Sequence, residues 1–296
     1  MKEINNLAIS ELNSSYKNAK KYFILNAKKN PSFITYNNLA WYYFKCEELN
    51  PFWYELSTFK KSSKYCAEAL RLKTNVSSLR LLRDIHYAKK EYGKAKEIQH
   101  QIAKSDLCID DYFVMGCIFM GMEDFESAEM HLRKAYDHYY SKNSFEDDYV
   151  YINYALCLMR LGKLNEANEI ADYLLNEINN TIHADLVNIL MIYYYTNNLE
   201  KIKEHTEELI RVYDVQEDIL AIILITYKEY LTNEEYEKSY NEIIRYKKEM
   251  YKENGWKIKD QVALLERVHE QFNKGIKPEL KYEPRRYFLS NYIDLY

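Results

Sequence analysis

A short sequence pattern recurs five times along the middle of this 296-residue chain. Its copies are centred on Ala95, Ala128, Ala167, Ile202 and Ser239, which lie 33, 39, 35 and 37 residues apart. An aromatic residue or Leu stands three positions before each centre, and another amphipathic stripe precedes each copy. A period of this length predicts a unit of two amphipathic helices joined by a short turn. Each pair buries its apolar face by stacking on its neighbours.

The scarcity of turn-forming residues agrees with this interpretation. The chain has six Gly and four Pro, together about 3% of its residues against roughly 12% in an average protein. β-Sandwiches, barrels and Rossmann-type folds need many turns with special backbone angles, so this composition disfavours them. We therefore predict an all-α chain.

The helical patterns resemble those of the tetratricopeptide repeat family. The first helix of that repeat carries a large–Leu–small–Tyr pattern, and the second carries Ala, a large residue and Ala. These patterns are present here as Tyr36-Leu39-Ala40-Tyr43 and as Ala128-Leu132-Ala135. A small residue such as Gly116 lets two helices approach closely, because a bulky side chain would overpack their interface. The resemblance implies a right-handed superhelical solenoid of about six helix-turn-helix hairpins, with large residues replacing small ones in the degenerate fifth and sixth.

The predicted organisation is one continuous stack with a cap at each end. Its parts are an N-terminal helical cap at residues 1–31, repeats at 32–250, and a C-terminal capping helix and tail at 251–296. We predict the second helix of the first full hairpin at residues 51–73, with Asn50 as its N-cap, and a longer polar loop at residues 141–148. The tail is rich in aromatic residues, so we expect it to fold back and cover the last hairpin, because repeat stacks need covered ends.

The sequence contains no motif for catalysis or for a bound cofactor. It has neither a glycine-rich phosphate loop nor an HExxH zinc motif. The five Cys residues show no CxxC spacing, which favours buried thiols in a reducing compartment over a metal site or disulfides. No signal peptide or membrane-spanning apolar stretch is found. The sequence therefore predicts a cytoplasmic, non-enzymatic protein that has no cofactor or metal and does not bind membranes.

Charge is unevenly distributed along the chain, although the total is only −4. Residues 1–100 carry a net charge of +9, residues 101–242 carry −17 and residues 243–296 carry +4. The overall balance argues against a nucleic-acid partner. Most acidic residues of the middle region lie on predicted second helices, which face outward in the tetratricopeptide family. We therefore interpret them as a solvated outer face rather than as a groove for a basic partner.

The concave face is the predicted binding surface, because first helices line it in the tetratricopeptide family. The family's lining positions give an apolar and aromatic surface here, with Asn between the larger side chains. Asn can both donate to and accept from a peptide backbone, so these residues could hold an extended segment. The alternative is that the Asn reflect composition and that the tail closes this face. The predicted ligand-contacting residues are Asn37, Asn38, Trp41, Phe44, Arg80, Asp84, Tyr87, Phe113, Met120, Asn153, Arg160, Asn188, Met191, Tyr194 and Lys228.

The function predicted from this surface is the binding of a protein or peptide segment. One alternative is a peptide-responsive regulator. The degenerate repeats and Tyr/Asn/Lys-rich composition resemble the bacterial peptide-sensing receptors of Firmicutes and their phages, which include the Rap-type phosphatases. The regulators of that group carry an N-terminal helix-turn-helix, and the Rap-type phosphatases use a Gln in an N-terminal helical bundle. Here only about 30 residues precede the first full hairpin, and the first Gln is Gln99. Such a regulator would therefore lack an output domain. The other alternative is an inhibitor, such as an immunity protein, that binds an enzyme.

Overall fold

All regular structure in the described part of the chain is helical. The computed structural model describes residues 2–12, 16–48, 59–103, 107–141, 148–177, 183–204, 217–253 and 262–276. Residues 199–204 are helical, and the longer helices are numbered here in chain order. These are α1 Lys2–Leu12, α2 Tyr16–Lys29, α3 Phe33–Glu48, α4 Lys60–Leu72, α5 Val76–Ala88, α6 Tyr92–Ile102, α7 Ile109–Gly121, α8 Phe125–Ser141, α9 Asp148–Arg160, α10 Leu164–Glu177, α11 His183–Tyr195, α12 Glu217–Tyr230, α13 Asn233–Glu253 and α14 Ala263–Asn273.

The helices fall into two compact units, one built from α1 to α8 and the other from α9 to α14. The boundary between them falls between residues 143 and 144, inside the predicted polar loop at residues 141–148. The sequence offers no linker of the usual Gly- or Pro-rich kind there. Composition alone therefore does not predict this division.

Consecutive helices pack as hairpins within each unit. In the first unit the pairs are α1 with α2, α3 with α4, α5 with α6, and α7 with α8. Each pair also packs on the next, and the first helices α3 and α5 are in contact. In the second unit α9 pairs with α10, α11 packs on both, and α12 packs on α11, α13 and α14. The structure thus confirms the predicted all-α stack of helical hairpins.

Four of the turns share one backbone conformation. Each contains one residue with a positive φ: Lys90 at 59°, Glu123 at 62°, Gly162 at 74° and Asn197 at 58°. The next residue donates its N–H to the carbonyl five positions back, as Glu91 does to His86 at 2.9 Å. This bond satisfies a carbonyl at the end of the first helix, where no intrahelical donor is available. The turns therefore repeat at intervals of 33, 39 and 35 residues.

The same intervals separate the repeat centres read from the sequence. Ala95, Ala128, Ala167 and Ile202 each follow a positive-φ residue by five positions, and all four are completely buried. The repeat register is therefore confirmed for the first four copies. The fifth centre, Ser239, lies on α13 and is half-buried.

The second helix of the first full hairpin begins later than predicted. The helix α4 starts at Lys60, and Phe59 before it has a φ of 47°, so a helix over residues 51–73 does not run through Phe59. The apolar stripe Phe52-Leu56-Phe59 favours a longer helix, but such a stripe carries no information about a backbone reversal at a single residue. Residues 49–58, with the proposed cap Asn50, and the tail at residues 277–296 lie outside the described residues.

The helices α7 and α8 approach closely at Gly116. A Cβ atom placed there would lie 2.6 Å from Leu132 Cδ2 and 3.3 Å from Leu132 N. Leu132 is completely buried, so its side chain has little room to move aside. The structure agrees with the close approach that the sequence predicted at Gly116.

Candidate functional site

In the first unit, most of the predicted ligand-contacting side chains are shielded from solvent. Trp41 and Arg80 are half-buried, whereas seven others are buried. These seven are Asn37, Asn38, Phe44, Asp84, Tyr87, Phe113 and Met120. Every residue of α7 from Phe113 to Met120 is buried, as expected of a helix that is apolar on all sides. A ligand could reach only Trp41 and Arg80 of this set without moving other groups.

The second unit shows the same pattern. Asn153, Met191 and Tyr194 are buried, while Arg160 is exposed and Lys228 is half-buried. Lys228 lies with its Nζ 4.5 Å from the centre of the Tyr236 ring and donates to Asn233 Oδ1 at 2.9 Å. Asn188 lies on α11, but its side chain is outside the described residues. Arg160 is therefore the most accessible of the described predicted residues in this unit.

Asn37 connects two neighbouring hairpins. Its Oδ1 accepts a hydrogen bond from Ser78 Oγ at 2.9 Å, which joins the first helices α3 and α5. Ser78 also donates its backbone N–H to Asn75 Oδ1 at 2.9 Å, and Asn75 is the N-cap of α5. The structure thus shows a structural role for Asn37 in joining hairpins.

Arg83 stands at the centre of a buried polar network in the first unit. Its Nε donates to Asp84 Oδ1 at 2.8 Å, and its Nη1 donates to Gln99 Oε1 at 2.6 Å and to Asp111 Oδ1 at 2.7 Å. Arg80 contacts the same Asp111 with two nitrogens, Nε to Oδ1 at 3.1 Å and Nη2 to Oδ2 at 2.6 Å. The network joins α5, α6 and the first turn of α7.

The two carboxyl groups of this network are perturbed in opposite directions. Burial raises the pKa of Asp84, and the adjacent guanidinium of Arg83 offsets only part of that effect. Burial also acts to raise the pKa of Asp111, but the hydrogen bonds and charges of Arg80 and Arg83 outweigh it, so that pKa is lowered. Asp111 is therefore the anionic centre that balances the two guanidinium groups.

The sequence analysis singled out Arg80 and Asp84 as ligand contacts but did not identify Arg83 or Asp111. In the structure both Arg80 and Asp84 are engaged inside the protein. A usable signal was the spacing of Arg80 and Arg83, which places two cations on one face of α5. The acceptors on α6 and α7 come from later in the chain, so that spacing could not reveal them.

Asn153 differs from Asn37 in the hydrogen bonding of its amide. Its Nδ2 donates to the Tyr149 carbonyl at 2.8 Å, one helical turn back. Its Oδ1 is buried, and no group among the described residues donates to it. The residue is completely shielded from solvent. An unpaired buried carbonyl costs about 1–3 kcal/mol. Asn153 is therefore a place on α9 where a further hydrogen-bond donor would stabilise the structure.

The cysteines behave as packing residues where they are buried. Cys66, Cys117 and Cys157 are buried, and Cys46 and Cys108 are half-buried. Burial raises the pKa of Cys66 to about 12, with a smaller effect from Asp84. Such a thiol is poorly nucleophilic at neutral pH.

The described residues contain no group of three or more His, Cys, Asp or Glu side chains that could hold a metal ion. Within the same ranges, none of the helices combines the length and the apolar character that crossing a bilayer would need.

Comparison with known proteins identifies the fold and nothing narrower. No protein-family model matches the sequence, and no curated protein matches it. The structure is similar to the crystal structure of a tetratricopeptide repeat protein from Parabacteroides merdae ATCC 43184, with a TM-score of 0.60. The sequences are 13% identical, and the match covers 89% of this chain and 98% of that one. The fold is tetratricopeptide-like. This match does not confirm the resemblance to the peptide-sensing receptors.

Proposed function

We propose that this chain is a non-enzymatic helical-repeat protein that binds a protein or peptide segment on the first helices of its hairpins. The tetratricopeptide-like fold supports this proposal, because helical repeats present extended surfaces suited to binding. The observation that carries it is Asn153 Oδ1 on α9, to which nothing in the described part of the chain donates a hydrogen bond. A cytoplasmic location and the absence of a nucleic-acid partner are part of the same proposal.

A bound segment would supply the donor that Asn153 Oδ1 lacks. The backbone N–H of an extended peptide is suited to that oxygen, because main-chain groups must be paired when they leave water. The neighbouring helix α11 packs against α9 and carries Met191 and Tyr194, which would add apolar contact. Burial of apolar area, at about 25 cal/mol per Å², would supply most of the affinity. We therefore expect affinity to change less than about tenfold between low and moderate salt, since surface ion pairs add little.

Access to Asn153 requires movement, because the residue is completely shielded in the structure. Binding that depends on such an opening associates more slowly than the roughly 10⁵–10⁷ M⁻¹s⁻¹ of ordinary docking. The proposed site is therefore a gated one. An observed association rate that levels off at high partner concentration, where opening becomes limiting, would be its kinetic signature.

The substitution Asn153→Leu should separate binding from stability. It removes a buried carbonyl that has no donor, so the free energy of unfolding should stay unchanged or rise by about 1 kcal/mol. It also removes the acceptor for the bound segment, so binding should weaken by about 1–3 kcal/mol, or roughly 5- to 150-fold. The measurements are urea unfolding of the free protein and calorimetric titration of the partner recovered by pull-down and identified by mass spectrometry.

Asn241 provides the matched control. Its Nδ2 donates to the Glu237 carbonyl at 2.8 Å, the same one-turn bond that Asn153 makes, but Asn241 is exposed. Asn241→Leu should leave binding unchanged. Unaltered affinity in Asn153→Leu, or a steep loss of wild-type affinity with salt, would place the site elsewhere. A short peptide as the recovered partner would favour the regulator, and an enzyme inhibited on binding would favour the inhibitor.

A further inference from the structure

Four aromatic rings line the junction between α3 and α4 in the first unit. Tyr65 of α4 stacks on Tyr36 of α3, with ring centres 6.4 Å apart and planes 12° from parallel. Tyr65 also stacks on Tyr43 of α3, at 5.6 Å and 8°. Phe33 stands one turn before Tyr36, at the start of α3. We call these four residues the aromatic seam.

Lysines from three places in the chain gather over the aromatic seam. Over Tyr43 lie Lys61 of α4, with its Nζ 5.2 Å from the ring centre, and Lys20 of α2 at 6.0 Å. Lys64 lies 5.6 Å from the centre of Tyr65, and Lys73, directly after α4, lies 4.9 Å from that of Phe33. Each ammonium group is near enough for attraction to the ring face, which orders a side chain that would otherwise be mobile.

These ammonium groups are available to a partner. Lys61, Lys64 and Lys73 are exposed, and Lys20 is half-buried. Among the described residues, none of the four forms an ion pair with a carboxylate. The one acidic residue of α4, Glu68, is paired with Arg71 at 3.1 Å.

A neighbouring helix adds further positive charge. The helix α2 carries five lysines and no acidic residue over Tyr16–Lys29. This concentration is local, because the whole chain has a net charge of −4. Unpaired like charges held together repel one another. Because the rings hold the ammonium groups close together, an anion that binds between them would relieve this repulsion.

We propose that the lysines over the aromatic seam form a docking surface for an acidic segment of a partner protein. The distance along α3 from Phe33 to Tyr43 is about 15 Å at 1.5 Å per residue. An extended segment of about five residues spans that length. Up to three Asp or Glu side chains, at alternate positions of such a segment, would face the surface and each meet one ammonium group. This surface is separate from the shielded face around Asn153.

The rings explain why a protein segment is favoured over nucleic acid or a bilayer. Tyr43 is only 9% exposed, and its face is occupied by Tyr65, so no base could stack on it as single-stranded nucleic-acid binding requires. None of the four rings of the seam is exposed, so the seam itself offers no protruding ring for insertion into a bilayer. What it presents is a row of ammonium point charges, which suits carboxylates spaced along a chain.

A fluorescein-labelled decaglutamate peptide is the probe for this surface. Fluorescence anisotropy would measure its affinity for the wild type and for the triple variant Lys20→Gln, Lys61→Gln and Lys64→Gln. We expect the variant to bind at least about tenfold more weakly, because up to three ion pairs are lost. Wild-type affinity should also fall at least about tenfold between roughly 0.05 and 0.2 M salt, since exposed charges are screened.

The control is a second triple variant with the same change in charge. Lys96→Gln, Lys134→Gln and Lys203→Gln each remove a lysine that lies 4.8–5.0 Å from an aromatic ring elsewhere. Its affinity for the peptide should stay within about twofold of the wild type. A Lys→Arg version of the first triple should retain binding. Unchanged circular dichroism and melting temperature establish that each variant is folded.

Several results would overturn the proposal. Equal losses in both triple variants, or no binding by the wild type at low salt, would show that the seam is no docking surface. Tighter binding to phosphatidylserine vesicles or to a DNA duplex than to decaglutamate, lost in the first triple variant, would assign it to phosphate. Self-association at low salt that the first triple variant abolishes, seen by sedimentation velocity, would assign it to the acidic region of a second copy.

Discussion

Replacement of Asp111 by Ala should lower the free energy of unfolding by about 3–5 kcal/mol, the typical cost of removing one partner from a buried ion pair. Asp111 and Arg83 have completely buried side chains, and Arg80 is 18% exposed. Without Asp111, Arg80 and Arg83 would each lose a carboxylate contact inside the protein. The loss should appear as a lower urea midpoint with an unchanged slope.

An exposed ion pair calibrates this measurement. Arg71 and Glu68 are 3.1 Å apart on α4, and both side chains are exposed to solvent, at 69% and 39%. Glu68→Ala should cost no more than about 1 kcal/mol, because solvent screens the pair. A similarly small loss in Asp111→Ala would show that the buried network contributes no more than a surface contact.

The contribution of Asp111 should also depend on pH in a defined direction. Its pKa is lowered in the folded protein, so its stabilisation is present above the ordinary carboxyl pKa of about 3.9 and is lost as pH falls through the folded value. The stability difference between the wild type and Asp111→Asn should therefore be largest near neutral pH and should narrow in acid. Urea unfolding of both proteins at about pH 6 and below about pH 3 tests this. A gap that widens in acid would contradict the assignment of Asp111 as the anionic centre.

Replacement of Gly116 by Leu should lower the free energy of unfolding by about 1–3 kcal/mol through overpacking between α7 and α8. Even a Cβ atom at this position would lie 2.6 Å from Leu132 Cδ2. Leu132 is completely buried, so the two helices would have to separate. Thermal and urea unfolding would report the loss.

Gly93 is the matched control for this substitution. It lies in the first turn of α6, and a Cβ atom there would meet nothing within 4 Å. Gly93→Leu should leave stability within about 0.5 kcal/mol of the wild type or raise it slightly. Equal effects of the two substitutions would show that the loss at Gly116 does not come from close helix packing.

The repeat architecture could be predicted from the sequence because similar residues recur at a regular spacing at buried positions. The spacing of Ala95, Ala128 and Ala167 equals the spacing of the turns that precede them. The start of α4 could not be predicted in the same way. Apolar periodicity favours a helix through Phe59, whereas the backbone of Phe59 is left-handed. A side-chain pattern indicates which residues would share the buried face of a helix. It does not indicate the φ angle of any one residue.

The candidate site was less predictable, since burial and hydrogen bonding depend on residues far apart in the chain. Asn37 has the residue type expected of a ligand contact, yet its Oδ1 accepts from Ser78, 41 positions later. Arg83 is charged and completely buried because Gln99 and Asp111 reach it from two other helices. Asn153 was singled out by the same residue type, and no group in the described ranges donates to its Oδ1. Its binding role stays a prediction.

The recurring turn explains how such a chain can match a solved structure and no family model. The residues on either side of the positive-φ position differ in all four turns. The position itself holds Lys, Glu, Gly or Asn. Only the conformation is shared, and even the small residue five positions later is replaced by Ile202 in one copy. The information that specifies each hairpin is therefore spread thinly over many exchangeable positions. Sequences with this architecture can diverge to very low identity while the hairpins that they encode remain superimposable.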